Sequence, residues 1–172
     1  MSSSTRALIV YSSLKGHTKS AANILKEELK KAGYEVVIEE IQCAQVSPKN
    51  EQDLMTEDSF KKTVFEVKQP VNDPQQFGIV LFGGPVWWYH LIPSIDAWIA
   101  KAKFDKKSTF GTFQQCDSLG FQAAYADLEK LLGASVERTV IFDKDHTKDK
   151  GGIRDKLTQF AQVVVAAYKA KH

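Results

Sequence analysis

The stretch FGIVLFGGPVWWYH, from Phe77 to His90, decides the fold class. Phe77 to Phe82 is apolar without alternation, the pattern of a central strand covered by helices on both faces, and Gly83-Gly84-Pro85 is expected to stop it. A strand buried on both sides belongs in a parallel sheet, so the flanking segments are expected to alternate strand and helix.

Toward the amino terminus they do. Ala7 to Tyr11 is a compact apolar strand, and Thr18 to Ala32 carries Ala21, Ile24, Leu25, Leu29 and Ala32 at helical spacing. Gly33 stands where a helix C-cap glycine belongs. Tyr34 to Ile41 alternates Tyr, Val and Ile with Glu35 and Glu39 on the other face, which predicts a half-exposed edge strand.

Toward the carboxyl terminus, Ile95, Trp98 and Ile99 mark a short helix, and Thr109 to Phe113 a fourth strand. Phe121 to Leu132 is a helix closed by Gly133, Val136 to Phe142 a fifth strand, and Ile153, Leu157, Phe160, Val164 and Ala167 trace a last helix. Gln42 to Gln76 is too long for a plain connection, so a helix near Glu51 to Lys62 and a small extra strand around Val64 to Val67 are expected there. Strands alternating with helices imply a three-layer α/β architecture with right-handed crossovers.

The 172 residues suit one domain spanning 1–172, with 43% hydrophobic and 26% charged residues, as in ordinary folded proteins. A net charge of +2, with acids and bases interspersed, gives no footprint for nucleic acid. The mildly basic stretch holding Lys144, Lys148, Lys150, Arg154 and Lys156 is interrupted by acids and reads as a solvated face. Cys43 and Cys116 form neither a zinc pattern nor a dithiol motif, and free thiols fit a reducing cytoplasm. Met1 to Arg6 is short and polar, and the apolar stretch Ile79 to Ile92 is interrupted by Gly83, Gly84, Pro85 and His90, so neither secretion nor membrane insertion is expected. The sequence assigns no oligomeric state.

Chemistry is expected in the loops at the carboxyl ends of the strands. Ser12, Ser13, Leu14, Lys15, Gly16, His17 and Thr18 lie between the first strand and its helix, where backbone amides and the positive helix end converge on an anion. Ser13 and Thr18 supply hydroxyls, Lys15 a positive charge, and Gly16 a close backbone approach. Neither the Walker spacing nor Gly-x-Gly-x-x-Gly is present, which removes support for nucleoside triphosphates and dinucleotides. Pro85, Val86, Trp87, Trp88 and Tyr89 form an aromatic loop at the same sheet edge, a natural stacking surface for a planar ring. A receiver domain would need acids where Ser12-Ser13 and Gly83-Gly84 stand, and no Gly-x-Ser-x-Gly elbow or metal-ligand helix is found.

The first loop resembles that of the flavodoxins, Thr/Ser-x-Thr-Gly-x-Thr, with Ser13, Gly16 and Thr18 matching and Lys15 in place of a threonine. Gly83-Gly84-Pro85-Val86-Trp87 is similar to the Gly-x-Pro-x-Trp loop of flavodoxin-like reductases. The resemblance implies a doubly wound parallel five-stranded sheet of order 2-1-3-4-5 with FMN at the switch point between strands one and three. It also implies a third cofactor loop, formed here by Thr112, Phe113, Gln114, Gln115 and Cys116, with the two glutamine amides donating to the pyrimidine edge. The function implied is electron transfer through a non-covalent FMN, to redox partner proteins or a small-molecule acceptor. Two alternatives stand beside it: an NAD(P)H-dependent FMN oxidoreductase of the quinone-reductase type, and a flavin-free interaction module. An isoelectric point near 8.4 departs from the acidity of typical flavodoxins.

Overall fold

A computed structural model describes residues 5–147 and 150–172. The parallel strands are β1 (Arg6–Tyr11), β2 (Glu35–Glu40), β3 (Ile79–Trp87), β5 (Thr109–Cys116) and β6 (Val136–Phe142), in the order β2-β1-β3-β5-β6. Counted among themselves, these five run 2-1-3-4-5, as expected. A sixth strand, β4 (His90–Leu91), pairs antiparallel with the end of β3 through Val86↔Leu91 and Trp87↔His90.

Helices α1 (His17–Lys31) and α6 (Lys150–Lys171) cover one face of the sheet, and α4 (Pro93–Lys101) and α5 (Phe121–Leu132) the other. The cause is the period-two side-chain alternation of strands whose two faces are both apolar. In β1, Ala7 and Ile9 pack toward α1 and α6 with Leu25, Leu29, Phe160 and Val164, whereas Leu8 and Val10 pack toward Ile95 and Trp98 of α4. All eight of those named core partners and strand residues apart from Trp98 and Phe160 are fully excluded from solvent. Gly133 closes α5 in the left-handed conformation, as its position predicts.

Five expectations are corrected. Gly83-Gly84-Pro85 does not stop the third strand, because β3 continues to Trp87. The two glycines serve packing: a Cβ at Gly83 would collide with the ring of Phe113, and one at Gly84 would lie 2.6 Å from Ile92 Cγ2. The fourth strand likewise runs past Phe113 to Cys116, with every residue buried. The helix expected over 51–62 is two short ones, α2 (Glu51–Met55) and α3 (Glu57–Lys62), broken at Thr56, whose extended backbone and hydroxyl cap α3 through the Ser59 amide. In place of a strand at 64–67 there is a single antiparallel bridge, Cys43↔Val67.

The fifth correction concerns β2. Glu39 does not face water: it is 7% exposed and accepts hydrogen bonds from the Trp98 indole, the Val71 and Asn72 amides and the Asn72 side chain. A carboxylate can be buried at this cost because four donors replace its water. It ties the loop before β3 to the edge strand.

Candidate functional site

At the carboxyl edge of the sheet, between the β1 and β3 ends, lies a cleft of about 350 Å³. That is within the range of pockets that hold a small cofactor. Ser13, Leu14, Lys15, His17 and Thr18 form one wall, and Pro85, Val86 and Trp87 another. Gln115 from the end of β5, Asp117 beyond it, Asp143 and His146 from the turn after β6, and Glu51 and Met55 of α2 complete it.

The first wall follows from local backbone chemistry. Gly16 caps α1 at φ 89°, a conformation that glycine adopts without a steric penalty, and no side chain caps the helix. Ser13 Oγ accepts from the Gly16 amide at 3.0 Å, which leaves the Ser13 hydroxyl hydrogen to donate. The first-turn amides of a 15-residue helix therefore open onto the cleft beside Ser13 and Thr18. Ser12 does not line the cleft. It is buried, with its Oγ accepting from Ser94 Oγ at 2.9 Å, and so pins the loop to α4.

The second wall is the end of β3 and the hairpin that follows. Trp88 and Tyr89 form its two-residue turn, both in the left-handed region at φ 51° and 67°. Such turns normally use Asn and Gly, so two aromatic residues here hold a costly conformation. Two contacts over-determine it. The Trp88 indole N–H donates to Leu54 O at 3.2 Å, and Gly120 packs so closely behind the turn that a Cβ there would lie 2.9 Å from Tyr89 Cα. Trp88 and Tyr89 line an adjoining, mostly apolar hollow of about 330 Å³ with Leu54 and Leu119, which shares Leu14, Glu51, Met55, Val86, Trp87 and Asp117 with the cleft.

The cleft is thus polarised. Trp87, Val86, Met55 and Leu14 border the hollow, with Glu51 and Asp117 at the boundary, while Ser13, Lys15, His17, Thr18, Gln115 and His146 belong to the other end. Lys15 Nζ lies 3.3 Å from Glu51 Oε1, so the lysine charge is already partnered by α2. His17 and His146 stack with ring centroids 4.0 Å apart, and Gln115 Nε2 is 2.6 Å from His146 Nε2. Burial holds the His146 imidazole below its ordinary value, as does neighbouring His17, against the raising influence of Asp143 and Asp145.

The expected third loop is largely interior. Thr112, Gln114 and Cys116 are buried within β5, where Gln114 donates to Phe121 O at 3.2 Å and Cys116 Sγ lies 3.1 Å from Leu119 O. Phe113 fills the space above Gly83 in the α1 and α6 core. None of these four lines the cleft; burial also raises the Cys116 thiol above its ordinary value. Gln115 lies opposite to Gln114 and Cys116, on the face that Phe113 shares, and reaches the cleft because it sits two residues nearer the carboxyl end of β5 than Phe113. Glu51, Met55, Asp117, Asp143 and His146 were missed. The placement rule for open α/β sheets applies to the turn after the last strand too, and it is the signal that could have found Asp143 and His146.

Among the described residues, no group of three or more His, Cys, Asp or Glu is placed to hold a metal ion, and no helix is long and apolar enough to cross a membrane. No protein-family model matches the sequence, and no curated protein does. Solved structures do resemble it. A flavoprotein from Lactobacillus acidophilus, solved in complex with FMN, is similar at 18% identity and a TM-score of 0.61 over 83% of this chain and 97% of its own. A flavodoxin, WrbA-like protein from Agrobacterium tumefaciens is similar at 17% identity and a TM-score of 0.58, over 96% and 98%. Rubredoxin oxygen:oxidoreductase from Desulfovibrio gigas matches 99% of this chain at 16% identity and a TM-score of 0.67, over 37% of that longer protein. Strand order, helices on both faces and these likenesses agree: the chain has a flavodoxin-like α/β fold.

Proposed function

We propose that the cleft holds one FMN without a covalent link and that the protein transfers electrons between redox partners, either proteins or a small-molecule acceptor. The observation that carries this reading is the polarity of one cleft: an uncapped helix start with Lys15 at one end and Trp87 beside an apolar hollow at the other. A phosphomonoester attached to a flat aromatic ring has the matching polarity. The similar Lactobacillus acidophilus protein, solved with FMN, supports the same choice.

The residues present fit the group. The first-turn amides of α1, Ser13 and Thr18 are donors for phosphate oxygens, with Lys15 adding charge once it turns from Glu51. Pro85, Val86 and Trp87 would hold the ring, with Leu14 and Met55 keeping water from it. Bound FMN supplies one-electron and hydride chemistry, which the protein's own side chains do not. A cytoplasmic setting suits the free thiols Cys43 and Cys116.

The test is the visible spectrum of the purified protein, followed by titration with FMN, riboflavin and FAD. Saturable uptake of one FMN, tighter than riboflavin, is the expected result. A colourless protein that takes up no flavin removes the reading and leaves an interaction module on the same fold. The apolar hollow walled by Trp88, Tyr89 and Leu119 favours a second role, a quinone-type reductase fed by NAD(P)H. Turnover of NAD(P)H with a quinone separates it from the carrier.

A further inference from the structure

We propose that His146 and His17 form a proton-linked anion clamp at the polar end of the cleft, so that a phosphomonoester binds together with one proton drawn from solvent. The proposal rests on the reading of this cleft as a phosphorylated-flavin site, and it names two side chains that would govern that site.

The geometry comes first. His17 is the opening residue of α1, and His146 lies in the turn after β6, 129 positions away in sequence from the first. The fold brings the two rings to 4.0 Å at an interplanar angle of 25°, on the cleft that also contains Ser13, Lys15 and Thr18. Two stacked imidazoles cannot both carry a proton cheaply, because like charges at that distance repel. A dianion beside them removes the objection. It favours the charged form of His146, and the proton is taken from buffer.

The surroundings decide which ring responds. Gln115 Nε2 reaches His146 Nε2 at 2.6 Å from β5; with the amide donating, the neutral ring carries its proton on Nδ1, and the second proton goes to Nε2 as the Gln115 amide turns its oxygen toward the ring. From its own turn His146 feels Asp143 and Asp145, and Asp145 is itself paired with Lys156 of α6 at 2.8 Å. Lys144 lies over the Phe142 ring, 5.3 Å from its centroid. Across the cleft stand Lys15 with its partner Glu51, and Asp117. Without an anion, burial and His17 hold His146 below the ordinary histidine value, so it is the ring with a proton to gain. Three carboxylates line the cleft against a single lysine, so a bound dianion gains most from extra positive charge that appears only when needed.

The experiment follows the histidine ring resonances of the intact protein by NMR from pH 5 to 8, with and without inorganic phosphate. The titration midpoint of His146 should rise by roughly one pH unit or more when phosphate is present. An unmoved midpoint overturns the clamp, whatever flavin does. Calorimetry at pH 7 in two buffers of different ionisation enthalpy then compares FMN with riboflavin. Proton uptake with FMN and none with riboflavin supports the clamp, and His146→Asn should abolish that uptake. FMN binding with no proton uptake overturns the clamp and leaves the flavin reading intact. Phosphate that moves His146 in a protein that takes up no FMN does the reverse.

Discussion

The indole N–H of Trp98 donates to Glu39 Oε2 at 2.6 Å, tying helix α4 to the edge strand β2 through a buried carboxylate. Glu39 also receives the amides of Val71 and Asn72, so one side chain fixes three segments. Replacing it by alanine leaves the Trp98 N–H buried without its acceptor. Glu39→Ala should cost about 3 kcal/mol, and Glu39→Gln, which keeps an acceptor oxygen, clearly less. Urea unfolding of both variants, with hydrogen exchange at Val71 and Asn72, gives the answer; equal losses would mean the acceptor oxygen is not what matters.

Lys15 and Glu51 make opposite predictions for the proposed cofactor. Lys15→Ala should weaken FMN about tenfold, through loss of a charge-assisted contact, and leave riboflavin nearly unchanged. Glu51→Gln should strengthen FMN by about twofold to fivefold, since it removes a competitor worth no more than an exposed ion pair. Fluorescence titration with both flavins is sufficient. Equal changes for FMN and riboflavin would show that the pair does not face the phosphate.

Asp96 on α4 links stability to pH. Its carboxyl is pushed up to about 6 by burial first and by the charge of Asp127 second, with His90 opposing. Below the unfolded value the acid is protonated in both states; between there and about 6 the folded protein holds the extra proton, so stability falls as pH rises through this window. Part of the residue remains in water, which holds the effect to less than about 1 kcal/mol. Asp96→Asn should be more stable than the parent at pH 7 and indistinguishable at pH 3.5, measured by thermal unfolding at each pH. A difference that persists unchanged into acid would point to packing instead.

Tyr89 occupies the left-handed region at φ 67° with its side chain largely exposed. Tyr89→Gly should stabilise the protein by about 0.5–1 kcal/mol, the relief of the backbone penalty less the extra freedom of an unfolded glycine. The denaturant midpoint reads this directly. A loss of stability would mean that the tyrosine ring contributes more packing than its exposure suggests.

Periodicity made most of the architecture legible, because strands buried on both faces and helices with one apolar stripe write their burial into the chain. It failed where burial depends on a partner remote in sequence. Glu39 fits an outward position by alternation, and only Trp98 and Asn72 make its inward one possible. Gln114 and Gln115 look like loop residues, yet register places them opposite Gly84 and Pro85 inside the sheet. For the cleft, the first and second loops were recognisable from residue type and position. His146 was hidden in a mixed-charge segment whose only local feature was solvation, and its significance comes from His17 across the fold.

Gly120 stands directly behind the Trp88–Tyr89 turn, close enough that any side chain there would press on the Tyr89 backbone. Gly120 does not itself line the apolar hollow, so its effect on Trp88 and Tyr89, which do, is exerted from behind the wall. Bulk added at that point would displace the turn while leaving the residue types of the lining as they are. A methyl group that is absent at Gly120 thus sets where the wall stands, and that position can be altered separately from the chemical character of the wall.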